Sequence, residues 1–277
     1  MKNIAIQLAA VGLLALTPSA ALAGRGGSAE AIQAAIASGS TDAIAAELER
    51  TESLICEACI PLVTALTEDP RSSVREVAAW WFGRRPGLRD MLVDGFLADL
   101  PHGDTTKVRN AADFLGRTRT LSAIAPLRAA IHRGDVGVEG RLAVVRAIGA
   151  MGHPSSNDVL VTALADPDAS VRAAAVTAWR GMFGQRTALP VVPLLGDLDA
   201  SVRGLAAAVV GTMGEQAGRA ALEAMVIGDL DPAVRRNAAW ALGQLGNAAS
   251  RAVLIQAASD KSGLVSGVAK ASLAKLH

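Results

Sequence analysis

The residues best suited to chemistry in this sequence are two cysteines, Cys56 and Cys59, which stand three positions apart. A Cys-x-x-Cys pair suits metal binding or redox exchange in a reducing compartment, and a structural disulfide in an oxidising one. Zinc would need two more ligands, and no strand leads into the pair as a thioredoxin-like site requires. We favour a structural disulfide, with buried free thiols and a catalytic pair as the alternatives.

The other groups that could catalyse a reaction form no recognisable constellation. The four histidines lack the paired spacing of metal ligands: His102, His132, His153 and His277. The acidic residues recur once in each repeat described below, as capping residues do. No glycine-rich phosphate loop joins a strand to a helix. The sequence therefore predicts a protein that is not an enzyme and has neither cofactor nor metal site.

The first 23 residues have the pattern of a secretory signal peptide. Lys2 precedes an apolar run over residues 4–16, and the small-residue sequence Ala21-Leu22-Ala23 suits a signal peptidase. A membrane anchor is the alternative, but the run is shorter than the ~20 residues that span a bilayer. We therefore expect cleavage after Ala23 and export of the mature chain to the periplasm.

Composition favours an all-helical protein and excludes some classes of partner. Hydrophobic residues make up 51% of the chain, aromatic residues only 3%, and tyrosine is absent. Alanine and leucine supply much of the apolar mass, which favours helix over sheet. The 27 basic and 26 acidic residues leave a net charge of +1, so no basic excess is available to bind nucleic acid.

An internal repeat dominates the sequence. Its marker is a Val-Arg dipeptide that returns about every 31 to 34 residues: Val74-Arg75, Val108-Arg109, Val171-Arg172, Val202-Arg203 and Val234-Arg235, with Gly140-Arg141 and Val265-Ser266 in the remaining places. An acidic turn precedes most copies and can cap the helix that follows. A glycine ends that helix. We expect each arginine to pair with an acidic residue of a neighbouring turn, which would form a ladder along the stack.

The motif D-x-x-V-R-x-x-A-A-x-A-L-G, clearest over residues 231–246, resembles the HEAT repeat, in the alanine-rich form of the HEAT-like repeats of phycobilin lyases. The resemblance implies an all-α, right-handed α-solenoid of about seven to eight helix pairs. It divides the chain into a signal peptide at 1–23, N-terminal capping helices at 24–68 and a HEAT-like repeat array at 69–277. Such repeats serve many functions, so the fold alone does not identify a ligand.

The variable positions of the repeat predict an apolar groove. In such a motif the second helix of each pair lines the concave face. If the Val of Val-Arg is position 0, then positions 3, 6 and 10 should face this groove, and only two of these eighteen residues are charged. We predict a binding site formed by aromatic and apolar side chains, on the groove wall or beside it: Val77, Trp80, Trp81, Ala111, Phe114, Trp179, Leu205 and Trp240. The alternative is a helix phase that differs by one residue, which would place these rings in the core.

These features predict an exported binding protein that carries an apolar small molecule through the periplasm. In overall character the chain resembles the soluble helical-repeat component of bacterial sterol transport, which implies a lipid or a sterol as ligand. Burial of apolar ligand surface in the groove would supply the affinity. The alternative is a scaffold that binds a periplasmic protein, which is the commonest use of solenoids.

Overall fold

The computed structural model describes residues 27–54 and 56–276, so the predicted signal peptide and its cleavage site lie outside the described residues. In these residues no strand occurs and fifteen α-helices follow one another: α1 Ala29–Ser38, α2 Thr41–Arg50, α3 Cys59–Leu66, α4 Ser72–Gly83, α5 Pro86–His102, α6 Thr105–Arg117, α7 Ile124–Ile131, α8 Val138–Met151, α9 Asn157–Leu164, α10 Ala169–Gly181, α11 Ala200–Thr212, α12 Arg219–Gly228, α13 Pro232–Leu245, α14 Arg251–Ala257 and α15 Gly263–Leu273. A longer 3-10 helix, Leu189–Gly196, stands before α11.

The chain divides into two compact units, residues 1–62 and 63–277. In the described part of the first unit, α1 and α2 form a short helical hairpin. Ser28 and Ser40 cap the two helices with their hydroxyl groups, and Ile32 and Leu48 are fully buried in the hairpin. The boundary between the units lies six residues before the predicted start of the repeat array at residue 69.

The second unit is a stack of helix pairs. The second helices of the pairs pack side by side in the order α4, α6, α8, α10, α11, α13 and α15. The first helices of the pairs that follow α4 are α5, α7, α9, the 3-10 helix Leu189–Gly196, α12 and α14. One pair cannot bury its own apolar face, but a stack of pairs can. The predicted all-α solenoid is confirmed.

The acidic turns cap the second helices, as expected. Asp104, Asp168, Asp199 and Asp231 each precede such a helix, and each carboxylate accepts a hydrogen bond from a backbone N–H of its first turn. These bonds satisfy donors that have no partner inside the helix. Gly246 ends α13 in the left-handed conformation (φ 67°), which glycine adopts without steric cost.

The predicted arginine ladder is present and is regular from α8 onward. Each arginine donates to the carboxylate of the next turn: Arg141 to Asp166 (2.7 Å), Arg172 to Asp197 (2.7 Å), Arg203 to Asp229 (2.7 Å) and Arg235 to Asp260 (2.8 Å). The same guanidinium also donates to backbone carbonyls of the turn before its own helix, as Arg172 does to Asp166 and Pro167. Each arginine therefore joins two consecutive turns of the stack.

The ladder shifts the ionisation of its carboxylates. The hydrogen bond from Arg172 lowers the pKa of Asp197, and the hydrogen bond from Arg235 lowers the pKa of Asp260. The pKa of the Arg172 guanidinium is raised in turn by the hydrogen bond to Asp197. The charged forms are favoured because each partner donates to, or accepts from, the ionised group.

Glycines set the close spacing of adjacent second helices. A Cβ on Gly116 would lie 2.5 Å from Cα of Ala147, one on Gly211 would lie 2.7 Å from Cα of Ala241, and one on Gly243 would lie 2.9 Å from Cα of Ser272. No Cβ fits at these distances, so the second helices approach backbone to backbone. This contact explains the glycine near the end of α6, α11 and α13 and the small residue at position 7 of the second helix that follows each of them.

Candidate functional site

The sequence places the binding site on the second-helix face, meaning the side of the stack formed by the second helices α4, α6, α8, α10, α11, α13 and α15. Val77, Trp80 and Trp240 are half-buried on this face, and Leu205 is exposed. These four side chains lie at positions 3 and 6 of their helices. The structure therefore leaves half of the predicted residues accessible to a ligand.

The other four predicted residues lie in the core. Trp81 and Ala111 are fully buried, and Phe114 and Trp179 are only 1% and 3% exposed. The ring of Trp81 meets Phe82 edge to face. The indole N–H of Trp179 donates to the Thr187 carbonyl at 2.9 Å. Trp81 and Trp179 therefore lie beneath the surface of the second helices.

The expectation that Phe114 lines the groove wall is wrong. Its ring stacks on Phe96 of α5, with 4.5 Å between the ring centroids. The cause is the register of α6. In α8, α11 and α13 the glycine that contacts the next second helix stands at position 9 of the motif. In α6 the corresponding glycine, Gly116, stands at position 8 when the count starts at Val108. Counted from Lys107 instead, Phe114 takes core position 7 and Ala111 core position 4. The alternative phase is thus the correct one in this repeat.

The shift by one residue brings Asp113 to position 6, on the second-helix face. Its carboxylate is only 4% exposed and lies between two arginines. Oδ2 accepts hydrogen bonds from Nε and Nη2 of Arg75 at 3.0 and 2.7 Å. Oδ1 accepts one from Nη2 of Arg146 at 3.0 Å. This cluster lies outside the regular ladder, and the motif does not predict it because a count from Val108 places Phe114 at position 6.

The Arg146 cleft, which we define by Glu76, Asp113, Arg117 and Arg146, lies between α4, α6 and α8 and has a volume of about 230 Å³. Arg146 also borders a second cleft of about 200 Å³ with Arg75, Arg109 and Glu139. Both clefts are therefore lined by charged side chains. This lining differs from the apolar groove that the sequence predicts.

Two stretches of the second-helix face, α4 to α10 and α11 to α13, differ in charge. From α4 to α10 the exposed residues include four arginines: Arg84, Arg117, Arg146 and Arg180. From α11 to α13 the equivalent positions hold neutral residues: Leu205, Ala208, Thr212, Asn237, Trp240 and Gln244. A partner bound along this face would therefore contact arginines on α4 to α10 and neutral, partly apolar side chains on α11 to α13.

The ring of Trp240, on α13, is held in place by its neighbours. Its Cζ3 atom lies 3.0 Å from the place of a Cβ on Gly211, so the ring covers the point where α11 and α13 approach. With the amide of Gln244 oriented to face its donors, the amide oxygen lies 3.2 Å from the indole nitrogen and 2.8 Å from Nζ of Lys275. The ring therefore presents a fixed apolar surface.

The cysteines form a local cross-link at the start of α3. A disulfide joins Cys56 and Cys59, whose Cα atoms are 5.2 Å apart. Within residues 27–54 and 56–276, no group of three or more His, Cys, Asp or Glu side chains could hold a metal ion. In the same residues, no helix is both long enough and apolar enough to cross a membrane.

Comparison with known proteins identifies the repeat. Residues 138–192 and 189–274 match the family model of HEAT repeats. The X-ray structure of YibA from Escherichia coli is similar, at 14% identity and a TM-score of 0.57, over 84% of this chain and 87% of that one. The matched residues coincide with the region in which the arginine ladder is regular. The predicted repeat type and fold are thus confirmed.

Two further structures resemble the chain at lower TM-scores. Human deoxyhypusine hydroxylase in complex with glycerol shares 20% identity over 89% of this chain and 96% of its own, with a TM-score of 0.39. The complex of CpcE and CpcF of phycocyanin lyase from Nostoc sp. PCC7120 shares 21% identity over 77% and 86%, with a TM-score of 0.42. No curated protein matches the chain in sequence.

These comparisons change two interpretations. The prediction that the chain is not an enzyme is corrected, because an enzyme, deoxyhypusine hydroxylase, is among the structures that resemble it. The resemblance to the sterol-transport component finds no support in the family match or in the similar structures.

Proposed function

We propose that this chain, a protein of HEAT repeats, binds an extended segment of a partner protein along its second-helix face in the periplasm. HEAT repeats suit an interaction role, because stacked pairs present one continuous surface. The main support for the proposal is a set of exposed side chains on this face that do not help to stabilise the fold. Arg117 and Arg180 are exposed and form no ion pair within the described residues, and Leu205 is an exposed apolar side chain.

Periplasmic export rests on the sequence of residues 1–23 and on the disulfide between Cys56 and Cys59, which an oxidising compartment would maintain. Export predicts a mature chain that begins at Gly24. Mass determination of the protein from its host would test this point. A full-length mass, or a chain retained with the cytosolic fraction, would contradict it.

The competing function is the one that the sequence predicts, namely binding of an apolar small molecule in the groove. Half-buried Trp80 and Trp240 and exposed Leu205 favour it, as apolar side chains accessible on one face. The charged lining of both clefts favours the protein partner, because small-molecule pockets are lined predominantly by apolar and aromatic side chains. Cleft volumes of about 230 and 200 Å³ also lie below the ~300–1,000 Å³ of typical ligand sites.

Site-specific photo-crosslinking in the native host distinguishes these functions. A photoreactive residue replaces Leu205 on the second-helix face or, as a matched control, Ile255 on α14. Both are large apolar side chains with exposed surface, at 37% and 57%. We expect a protein adduct from position 205 and none from position 255. An adduct of lipid mass at position 205 would establish the competing function. Adducts only at position 255 would show that the opposite face binds.

A further inference from the structure

The Arg146 cleft contains a buried charge that the repeat does not require. Asp113 occupies a position where the next three second helices have Arg146, Thr177 and Ala208, none of which is a buried acid. Burial of a carboxylate is costly unless charged partners compensate. Two arginines do so here, and one of them, Arg75, is itself only 3% exposed. The cluster is therefore built into the interior with only Arg146 reaching the surface.

Asp113 fixes the guanidinium of Arg146 at the cleft. Only Nη2 of Arg146 is used by the protein, in the 3.0 Å hydrogen bond to Asp113. Within the described residues Nε and Nη1 have no protein acceptor, and the side chain is 43% exposed. An arginine that is held in place loses less side-chain entropy when it binds a ligand. Arg146 is thus a preorganised donor.

The charges around the cleft fit a single negative charge. The four residues that define the cleft carry two positive and two negative charges. Arg75, which pairs with Asp113 and lines the second cleft, adds a third positive charge and leaves an excess of one. One carboxylate would neutralise this excess. A phosphate carries up to about two negative charges at neutral pH and would exceed it. Guanidinium donors also match the planar, two-oxygen geometry of a carboxylate.

We propose that the Arg146 cleft binds the carboxylate of an Asp or Glu side chain in an extended segment of the partner protein. The inference rests on the proposed function and specifies the chemistry of the partner. The cleft volume of about 230 Å³ suits one acidic side chain and is small for a complete ligand. Arg84 and Arg180, exposed on the same face, extend the basic surface to either side.

Fluorescence anisotropy with two labelled peptides tests the proposal on the mature protein. One peptide alternates Glu with Ser, and its twin replaces each Glu by Gln. We expect the Glu peptide to bind about tenfold more tightly than its twin. Arg146→Gln and Arg117→Gln should each weaken the binding of the Glu peptide by about tenfold and leave the affinity for the Gln peptide unchanged. Arg117→Gln is included because Arg117 is exposed and forms no ion pair within the described residues, so its loss leaves no buried charge without a partner.

Arg251→Gln is the matched control. Arg251 is an exposed arginine on α14, away from the cleft, and forms no ion pair within the described residues. Its loss should change neither peptide's affinity. Equal binding of the two peptides, or an equal loss with Arg251→Gln, would overturn the proposal. So would displacement of bound peptide by inorganic phosphate at concentrations where acetate and N-acetylglutamate have no effect, because the site would then be one for phosphate.

The two proposals fail in different ways. If photo-crosslinking at position 205 captures a protein but the Glu and Gln peptides bind equally, only the carboxylate site is refuted. If neither peptide binds and position 205 yields no protein adduct, the interaction function itself is refuted.

Discussion

Gly116→Ala tests whether backbone contact between second helices sets the geometry of the stack. The new Cβ would lie 2.5 Å from Cα and 2.7 Å from Cβ of Ala147. Ordinary contacts begin near 3.4 Å, so α6 and α8 would have to separate by roughly 1 Å. Overpacking of this kind costs about 1–3 kcal/mol, and the overlap with backbone atoms places this case at the upper end. Alanine recovers at most about 1 kcal/mol of helix propensity.

We therefore expect a net loss of about 2 kcal/mol, which lowers the Tm by about 4–8 °C for a chain of this size. The matched control is Gly95→Ala in the middle of α5, where a Cβ meets nothing within 4 Å. This variant gains helix propensity without a clash and should be more stable than the parent by up to about 1 kcal/mol. Thermal denaturation followed by circular dichroism measures both changes.

The comparison has one clear refuting result. If Gly116→Ala is as stable as the parent while Gly95→Ala gains stability, the helices can separate freely and the proposed contact does not determine their spacing. The shifted register of α6 would then need another explanation.

Three further predictions concern the ladder and the aromatic residues. Arg172→Leu should lower the free energy of unfolding by about 3 kcal/mol, because it leaves the mostly buried Asp197 carboxylate without its ion-pair partner. Arg128→Leu breaks the exposed pair with Asp158 and should cost less than about 1 kcal/mol. Urea titration measures both losses. The Tm should be level from neutral pH down to about 5 and fall below about pH 4. The pKa of Asp197 is lowered in the folded state, so this carboxylate stabilises the fold at pH values above its unfolded pKa of about 3.9. That stability is lost as the pH falls through the folded pKa. Asp197→Asn should make the fall of Tm with pH less steep, and an unchanged dependence of Tm on pH would contradict the argument. Trp240→Ser should reduce crosslinking from position 205 and should cost less stability than Phe114→Ala, which should cost about 3–5 kcal/mol because its ring is buried. A larger loss of stability for Trp240→Ser would show that the core and surface assignments are exchanged.

Much of the fold follows from local signals in the sequence. The capping role of Asp168, Asp199 and Asp231 depends only on the residues of one turn, so the motif predicts it directly. The ladder repeats with the motif because each arginine reaches the next turn, and that distance is fixed by the length of one repeat. These features could be predicted because they are short in range or strictly periodic.

The charged cleft could not be predicted in the same way. Asp113 looks like an exposed helical acid in the sequence, and its partners Arg75 and Arg146 are 38 and 33 residues away. Which residues meet across the stack depends on the rotation of α6 between α4 and α8. One residue of shift rotates a helix face by about 100°, so a small error in phase exchanges core and surface.

The sequence by itself thus determined the repeat, the all-α stack, the caps and the ladder, because their signals are local or recur at a fixed interval. The tertiary structure alone decided that Phe114 is buried and that Asp113 lies on the second-helix face. The physical reason is that rotation of α6 about its axis changes none of its local hydrogen bonds. Contacts between helices select one rotation: Gly116 meets Ala147, Phe114 packs on Phe96, and Asp113 pairs with Arg75 and Arg146.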